Sequence, residues 1–338
     1  MTDVALIGAG PIGIEVACAL KRAGIDYLHF DKGQIASTIG WFPEQMTFFS
    51  STDRIALAGI PIHTVGQTKC TKEQYLAYLR TVVSACDLEV RSFEEVRSIR
   101  NDGDGFTLRT LTAAGEHEYR AGRVVVATGD MARPRKLGIP GEDLPHVAHL
   151  FIEPHRYFRR RLLIVGGKNS AVETALRCWH AGVDVALSYR RDAFDKRHVK
   201  YWLLPELIGR IRRGEIECHY ESEPVATSKT HVTLRRGGVD LEVAADFVLF
   251  QVGFEADMTL LADAGVSLDP VSQAPRFDRQ TMETDVSGLF VAGTATAGTQ
   301  QSYTVFIETC HIHAHRILAA LRGDPPPPDP PPLSRPES

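Results

Sequence analysis

Short apolar runs alternate along the chain with segments whose apolar residues have helical spacing. Residues 4–7 predict a buried strand, residues 13–23 a helix that Gly24 ends, and residues 27–30 a second strand. The same order begins again with a strand at 162–165, a helix at 170–181 and a strand at 183–188. This alternation is typical of α/β proteins with parallel sheets.

The two copies predict two Rossmann-like dinucleotide-binding domains in an α/β fold. The closing strand and helix resemble neither copy, so we expect the second domain to be inserted into the first. Further elements are predicted as a helix at 72–85, strands at 89–90, 107–111, 124–127, 247–250 and 289–292, and a last helix at about 304–321. The predicted domains are 1–133 and 258–323 for the first, 134–257 for the second, and 324–338 for a disordered proline-rich tail.

Composition narrows the class of protein. The 338 residues are 43% hydrophobic and 24% charged, with a net charge of −4, so nothing indicates a nucleic-acid or membrane partner. The N-terminus has no secretory leader and no apolar run is long enough for a membrane span. The six cysteines are scattered without a C-x-x-C pair, which predicts free thiols in a cytoplasmic protein.

Three glycines stand between the first strand and the first helix. Gly8 permits a tight turn, Gly10 lets a pyrophosphate approach the backbone, and Gly13 lets helix and strand pack closely. The helix N-terminus offers N–H groups to the phosphates. Asp31 ends the second strand, where an acid binds ribose hydroxyls. These residues predict a dinucleotide site in the first domain.

The second copy keeps only the first glycine of that pattern. Arg190, Arg191 and Arg197 follow its second strand, and arginines there suit the 2′-phosphate of NADPH better than a free hydroxyl. We therefore expect NADPH in the second domain. Its predicted contacts are Gly166, Gly167, Lys168, Asn169, Ser170, Ala171, Arg190, Arg191 and Arg197.

Two further segments, 125–129 with Ala-Thr-Gly and 288–294 with Gly-Leu-Phe-Val-Ala-Gly-Thr, resemble those of thioredoxin-reductase-like flavoproteins with two dinucleotides. Within that family the segments 43–51, 166–171 and 306–308 are similar to YpdA-type bacillithiol disulfide reductases. The resemblance implies FAD in the first domain and electron transfer from NADPH to a low-molecular-weight disulfide. The FAD contacts expected on this basis are Gly8, Gly10, Pro11, Ile12, Gly13, Asp31, Lys32, Thr47, Val96, Thr128, Gly129, Gly293 and Thr294.

The chain departs from this family at Ile12. YpdA-type enzymes have a cysteine there that is proposed to be redox-active, and without C-x-x-C the thioredoxin route is excluded. No catalytic residue is assigned; Cys310 is an outside candidate, and Cys70 lies between lysines that favour a thiolate. His311, His313 and His315 fan around one helix, so no metal site is expected.

Two alternatives remain open at this point. Relatives that lack active cysteines include ferredoxin or flavodoxin–NADP reductases, whose acceptor is a small redox protein. The other alternative is a regulatory protein that binds flavin or NADPH without turnover. The partner is therefore expected to be a small-molecule or small-protein electron acceptor, and the family suggests a homodimer.

Overall fold

The protein is described here by a computed structural model that covers residues 1–331. Within that range it has seven α-helices and seventeen β-strands. The helices are α1 (Pro11–Ala23), α2 (Ser37–Gly40), α3 (Lys72–Ala85), α4 (Asn169–His180), α5 (Leu204–Arg212), α6 (Thr259–Asp263) and α7 (Ile307–Arg322). The strands are β1 (Thr2–Ile7), β2 (Tyr27–Asp31), β3 (Arg91–Ser92), β4 (Glu95–Asn101), β5 (Phe106–Thr112), β6 (Gly115–Val126), β7 (Arg133–Pro134), β8 (Val147–Ala148), β9 (Arg161–Val165), β10 (Asp184–Tyr189), β11 (Glu217–Tyr220), β12 (Ser222–Thr227), β13 (His231–Arg236), β14 (Val239–Ala244), β15 (Phe247–Phe250), β16 (Phe254–Glu255) and β17 (Leu289–Val291).

The chain forms two compact units. The first comprises Met1–Gly40, Gln45–Arg133 and the described residues from Phe254 onward, and the second comprises Trp41–Glu44 and Pro134–Gly253. The predicted insertion of one α/β unit into another is therefore confirmed. No helix in the described residues is both long and apolar enough to cross a membrane.

The sheet of the first unit has β1 near its centre. β1 runs parallel to β2 on one side and to β6 on the other, and β17 pairs in parallel with β6. β5 extends the sheet as the antiparallel neighbour of the first half of β6, and β4 pairs antiparallel with β5. Ile7, Val126 and Val291 share one register position, so β1, β6 and β17 end at the same edge of the sheet. Dinucleotides bind outside this carboxyl edge in doubly wound folds.

Helix α1 begins and ends where its local sequence requires. Gly10 is the extended N-cap residue, Pro11 supplies a preset backbone angle at the first position, and Gly24 ends the helix at a φ of 69°. No side chain caps the N-terminus. The first N–H groups of α1 therefore point towards the carboxyl edge without a side-chain partner.

The sheet of the second unit is entirely parallel, in the order β11-β10-β9-β15-β8. Leu162 and Ile164 of β9 pack on one face with residues of α4. Leu163 and Val165 pack on the other face with Val232 and other residues of the antiparallel sheet β12-β13-β14. Because residues 162–165 of β9 are buried on both faces, they form a continuous apolar run.

Several predicted elements are displaced. The strand expected at 89–90 lies at Arg91–Ser92 instead. The last helix starts at Ile307, because the Gln300 side chain accepts the N–H groups of Thr304 and Val305. Of the predicted tail, residues 324–331 form no helix or strand, and Asp329 accepts a hydrogen bond from Arg316. Residues 332–338 lie outside the described part.

Candidate functional site

The loop between β1 and α1 is held by two glycines that no other residue can replace. Gly8 has a φ of +102°, and a Cβ there would lie 2.5 Å from the Ala127 carbonyl oxygen. A Cβ on Gly13 would lie 1.9 Å from the Gly8 carbonyl oxygen. A Cβ on Gly10, in contrast, would meet nothing within 4 Å. This open space beside the uncapped helix N-terminus fits a pyrophosphate.

Asp31 and His29 of β2 form hydrogen bonds with the backbone of the same loop. The Asp31 carboxylate accepts hydrogen bonds from the N–H of Ala9 at 2.7 Å and of Gly33 at 2.8 Å. Burial raises its pKa, and these two bonds oppose that shift. His29 is fully buried with Nε2 at 3.0 Å from the Gly8 carbonyl oxygen, and burial lowers its pKa to about 4. Asp31 keeps acceptor capacity for ribose hydroxyls, since a carboxylate has about four acceptor positions.

Residues after β6 and β17 meet at the same edge. Gly129 has a φ of +78°, and a Cβ there would lie 3.6 Å from the Thr294 hydroxyl oxygen. Gly293 donates its N–H to His313 Nδ1 at 3.1 Å. Burial lowers the pKa of His313 to about 4, so this histidine is neutral at pH 7. Thr128 is exposed beside this group. The structure thus brings Gly8, Gly10, Gly13, Asp31, Thr128, Gly129, Gly293 and Thr294 to one edge of one sheet.

The other expected FAD residues are placed differently. Ile12 is buried on α1, and its Cβ lies 3.3 Å from the position of a Cβ on Gly293. Lys32 is exposed after β2, and Thr47 forms an isolated bridge with Thr71. Val96 is 5% exposed, and its side chain packs in the core of the first unit. Pro11 opens α1 at the edge itself.

The sequence pattern does not single out Asp130, which follows Gly129 directly. It is 7% exposed, and Oδ2 accepts a hydrogen bond from Gln300 Nε2 at 2.8 Å. Burial raises the pKa of Asp130, and the neighbouring side chains of Gln300 and Thr294 oppose that shift. The only sequence signal for it is its place next to the Ala-Thr-Gly segment.

In the second unit the glycine loop follows β9. Gly166 has a φ of +145°, and a Cβ there would lie 2.5 Å from the Gln251 carbonyl oxygen. A Cβ on Gly167 would lie 2.3 Å from the ring of Tyr189, so this glycine makes room for the aromatic side chain. Asn169 accepts the N–H of Lys200 at 2.5 Å. Ser170 is exposed and Ala171 is buried in the first turn of α4.

Basic residues surround this loop. Burial lowers the pKa of Lys168, the N-cap residue of α4, and the charges of Arg190, Arg191 and Arg135 lower it further. Arg190 and Arg191 are exposed directly after β10. The positive potential at the N-terminus of an uncapped helix fits an anionic nucleotide.

Arg197 is held by an acid that the sequence pattern does not reveal. Its Nε and Nη2 donate to Asp195 at 3.1 and 2.8 Å. The side chains of Arg191 and His198 also lie 3.8 and 3.2 Å from Asp195. Hydrogen bonds from Arg197 hold the pKa of this carboxyl well below its usual range. Arg197 therefore has a partner in the protein, whereas it was expected to face the phosphate directly.

Four of the six cysteines are poorly suited to redox chemistry. Cys310 is fully buried, and burial raises its pKa to about 12. The expectation that lysines favour the Cys70 thiolate is wrong, because this thiol is buried and its pKa is raised to about 11. Lys69 donates to the Phe49 carbonyl and Lys72 lies 3.5 Å from Glu73. Burial also raises the pKa of Cys178 and Cys218 to about 12.

The histidines of α7 serve separate contacts. His311 lies between Glu15, at 2.7 Å, and the Arg54 carbonyl, at 2.8 Å. Burial lowers its pKa, but Glu15 outweighs this and the net shift is upward. His313 binds Gly293, as described above. Across residues 1–331 no group of three His, Cys, Asp or Glu side chains could hold a metal ion.

Comparison with known proteins agrees with this geometry. The family described as pyridine nucleotide-disulphide oxidoreductase matches residues 5–293. The chain belongs to this family. It is an oxidoreductase that uses FAD, as the family resemblance implies, and NADPH, as the arginines of the second domain predict.

Individual proteins of known function or structure are similar to nearly the whole chain. The chain is 34% identical over 318 residues to bacilliredoxin reductase Bdr of Bacillus subtilis, with 94% of this chain and 96% of that protein covered. The structure of bacillithiol disulfide reductase Bdr (YpdA) from Bacillus cereus matches with a TM-score of 0.91 at 33% identity, covering 95% and 99%. A ferredoxin–NADP reductase of Ignicoccus hospitalis is 27% identical, covering 88% and 90%.

Proposed function

We propose that the protein reduces a low-molecular-weight disulfide of the bacillithiol class with NADPH. The observation that carries this is the similarity to bacilliredoxin and bacillithiol disulfide reductases, which extends over nearly the whole of both chains. In the overall reaction, NADPH, one proton and the disulfide give NADP⁺ and two thiols. FAD carries the two electrons between them.

The residues divide this work between the two units. In the first, the loop from Gly8 to Gly13 and the N-terminus of α1 hold the pyrophosphate of FAD, and Asp31 holds a ribose. Gly129, Gly293 and Thr294 line the same edge. In the second, Lys168, Arg190 and Arg191 hold the phosphates of NADPH. The support is the open space at Gly10 and the basic surroundings of Lys168.

We further propose that no protein thiol takes part. Ile12 stands where the resembling family has its redox cysteine, and its side chain packs against Gly293. Cys310 is the cysteine that the sequence analysis offers as a catalytic candidate. Its thiol has a pKa raised to about 12 and is therefore not a nucleophile at neutral pH. The disulfide would then be reduced directly at the flavin.

A screen of electron acceptors tests the proposal. The purified protein would be given NADPH with bacillithiol disulfide, other small disulfides, quinones or ferredoxin, and NADPH oxidation followed by its absorbance. We expect bacillithiol disulfide to give the highest kcat/KM. Faster cytochrome c reduction that requires added ferredoxin would favour the ferredoxin–NADP reductase alternative, which the Ignicoccus relative supports. Flavin reduction without turnover of any acceptor would favour a regulatory role.

The proposed reaction consumes NADPH and yields thiols, both typical of the cytoplasm. The six cysteines are all free in the structure, in line with that location. A homodimer stays a prediction from the family, and light scattering of the purified protein would check it.

A further inference from the structure

The last helix carries a buried positive charge. Arg316 of α7 is 8% exposed, and its Nε is buried without a hydrogen-bond partner among the described residues. Its Nη2 donates to the carboxylate of Asp329, and this is the acid with which Arg316 forms an ion pair within residues 1–331. Burying a guanidinium group costs free energy unless an anion neutralises it. The C-terminal tail therefore supplies the counter-charge for a residue in the body of the first unit.

The end of α7 turns the chain back towards this arginine. Gly323 has a φ of 72°, and the N–H of Asp324 donates to the Ala319 carbonyl at 2.9 Å, which is the hydrogen bond of a Schellman cap. Arg316 lies about 10 Å back along the helix axis from Gly323. Residues 324–329 include four consecutive prolines and can span about 19 Å as a polyproline segment. This length is enough for Asp329 to reach Arg316.

The prolines suit a segment that lies on a protein surface. They have no N–H group, so residues 325–328 bring no backbone donor that must find a partner. Their fixed φ also reduces the conformational entropy that is lost on docking. Pro327 is half-buried, whereas the prolines on either side of it are exposed. The tail thus combines a proline that the protein partly covers with a carboxylate that pairs with a buried charge.

Arg316 lies one helical turn from a residue that binds the carboxyl edge of the sheet. His313 precedes it by three positions, and both side chains are buried, so they share one face of α7. His313 Nδ1 accepts the N–H of Gly293 at 3.1 Å, just after β17. The charge of Arg316 lowers the pKa of His313, in line with this proximity. A shift of α7 that exposes Arg316 to water would therefore move His313 away from Gly293.

We propose that the proline-rich tail is a built-in ligand of α7 whose docking maintains the FAD-binding edge of the first unit. Asp329 neutralises Arg316, which lets α7 stay packed with His313 against Gly293. Because the tail acts on the cofactor site through α7, Asp329 and Arg316 are positioning residues. The effect on FAD rests on the FAD site proposed above, whereas the docking of the tail does not.

The Tm of the full chain and the Kd of FAD for its apoprotein test the proposal. We expect Asp329→Asn to lower the Tm by about 2–6 °C, because a buried charge loses its partner. The same variant should raise the Kd of FAD about three- to tenfold, the effect of one weakened hydrogen bond. Asp324→Asn is the matched control, since this aspartate belongs to the same tail, and it should change neither quantity.

A second substitution separates neutralisation of the charge from general packing. Arg316→Met keeps a long unbranched side chain without the charge, so its Tm should equal or exceed that of the wild type. In the Arg316→Met background, Asp329→Asn should change neither the Tm nor the Kd. His313→Ala should by itself raise the Kd of FAD. Adding Asp329→Asn to it should lower the Tm further but leave the Kd where it is.

Three results would overturn the inference. An unchanged Tm in Asp329→Asn would show that the tail does not neutralise Arg316, and an equal fall in the Arg316→Met background would show that Asp329 acts without this charge. A lower Tm with unchanged FAD affinity would refute the link to the carboxyl edge. If His313→Ala does not fold, the four combinations at positions 316 and 329 decide the question. Failure of the wild type to bind FAD would refute the proposed function, and the Tm measurements would still test the docking of the tail.

Discussion

Removing two arginines from the second unit should abolish its preference for NADPH. Arg190 and Arg191 follow β10 and lower the pKa of Lys168 through their charge, so all three contribute to one positive field. Arg191 is only loosely paired, 3.8 Å from Asp195. Asp195 stays neutralised by the two hydrogen bonds from Arg197 when both other arginines are replaced by alanine.

The expected loss of NADPH binding free energy depends on how exposed the two arginine side chains are. A hydrogen bond to a charged group contributes about 1.5–3 kcal/mol when shielded, and an exposed ion pair about 0.2–1 kcal/mol. The Arg191 side chain is 50% exposed, so an intermediate contribution of about 1 kcal/mol is reasonable for each arginine. Together these give about 2 kcal/mol, or roughly a thirtyfold increase in the KM for NADPH.

Steady-state kinetics with NADPH and NADH, under the same acceptor, would measure this. The KM for NADH should barely change, because NADH has no 2′-phosphate. Arg235→Ala is the matched control, since this arginine of β13 pairs with Asp240 of β14 in the same unit. Equal use of both nucleotides by the wild type, or equal losses for both in the variant, would refute the assignment of these arginines to the 2′-phosphate.

Three further outcomes are expected. Gly13→Ala should cost about 1–3 kcal/mol of stability and weaken FAD binding, because its Cβ would lie 1.9 Å from the Gly8 carbonyl oxygen, whereas Gly40→Ala meets nothing within 4 Å and should be tolerated; thermal unfolding and FAD titration would show this. Cys310→Ser and Cys70→Ser should each keep most of the acceptor-dependent activity, and iodoacetamide should leave flavin reduction by NADPH nearly unchanged; loss of acceptor reduction alone in Cys310→Ser would show that a thiol relay operates. The His313 ring, with its pKa lowered to about 4 from 6.5, takes up a proton on unfolding between those values, so its contribution to stability is full above pH 6.5 and falls as the pH falls. The difference in Tm between the wild type and His313→Gln should therefore shrink from about pH 7 to about pH 4.5, and a constant difference would contradict the assigned neutral state.

The local sequence was sufficient to predict the two glycine loops. Gly13 must be a glycine because a Cβ there would meet the carbonyl oxygen of Gly8, which belongs to the same short loop. The apolar runs of β1 and β9 likewise predict buried parallel strands, because strands covered on both faces have no polar face. The antiparallel sheet β12-β13-β14 is absent from the sequence prediction, since its half-exposed strands carry many polar residues.

Tertiary structure alone decided how distant side chains combine. Asp130 and Gln300 lie 170 residues apart in the chain and meet only because β6 and β17 are neighbours in the sheet. Cys70 stands between lysines in sequence, yet folding buries the thiol and turns Lys69 towards a backbone carbonyl. Residue type and spacing are local properties, whereas burial and the partner of a charged group depend on which segments pack together. The sequence by itself therefore determined the fold and the cofactors, and packing determined which polar groups become hydrogen-bond partners.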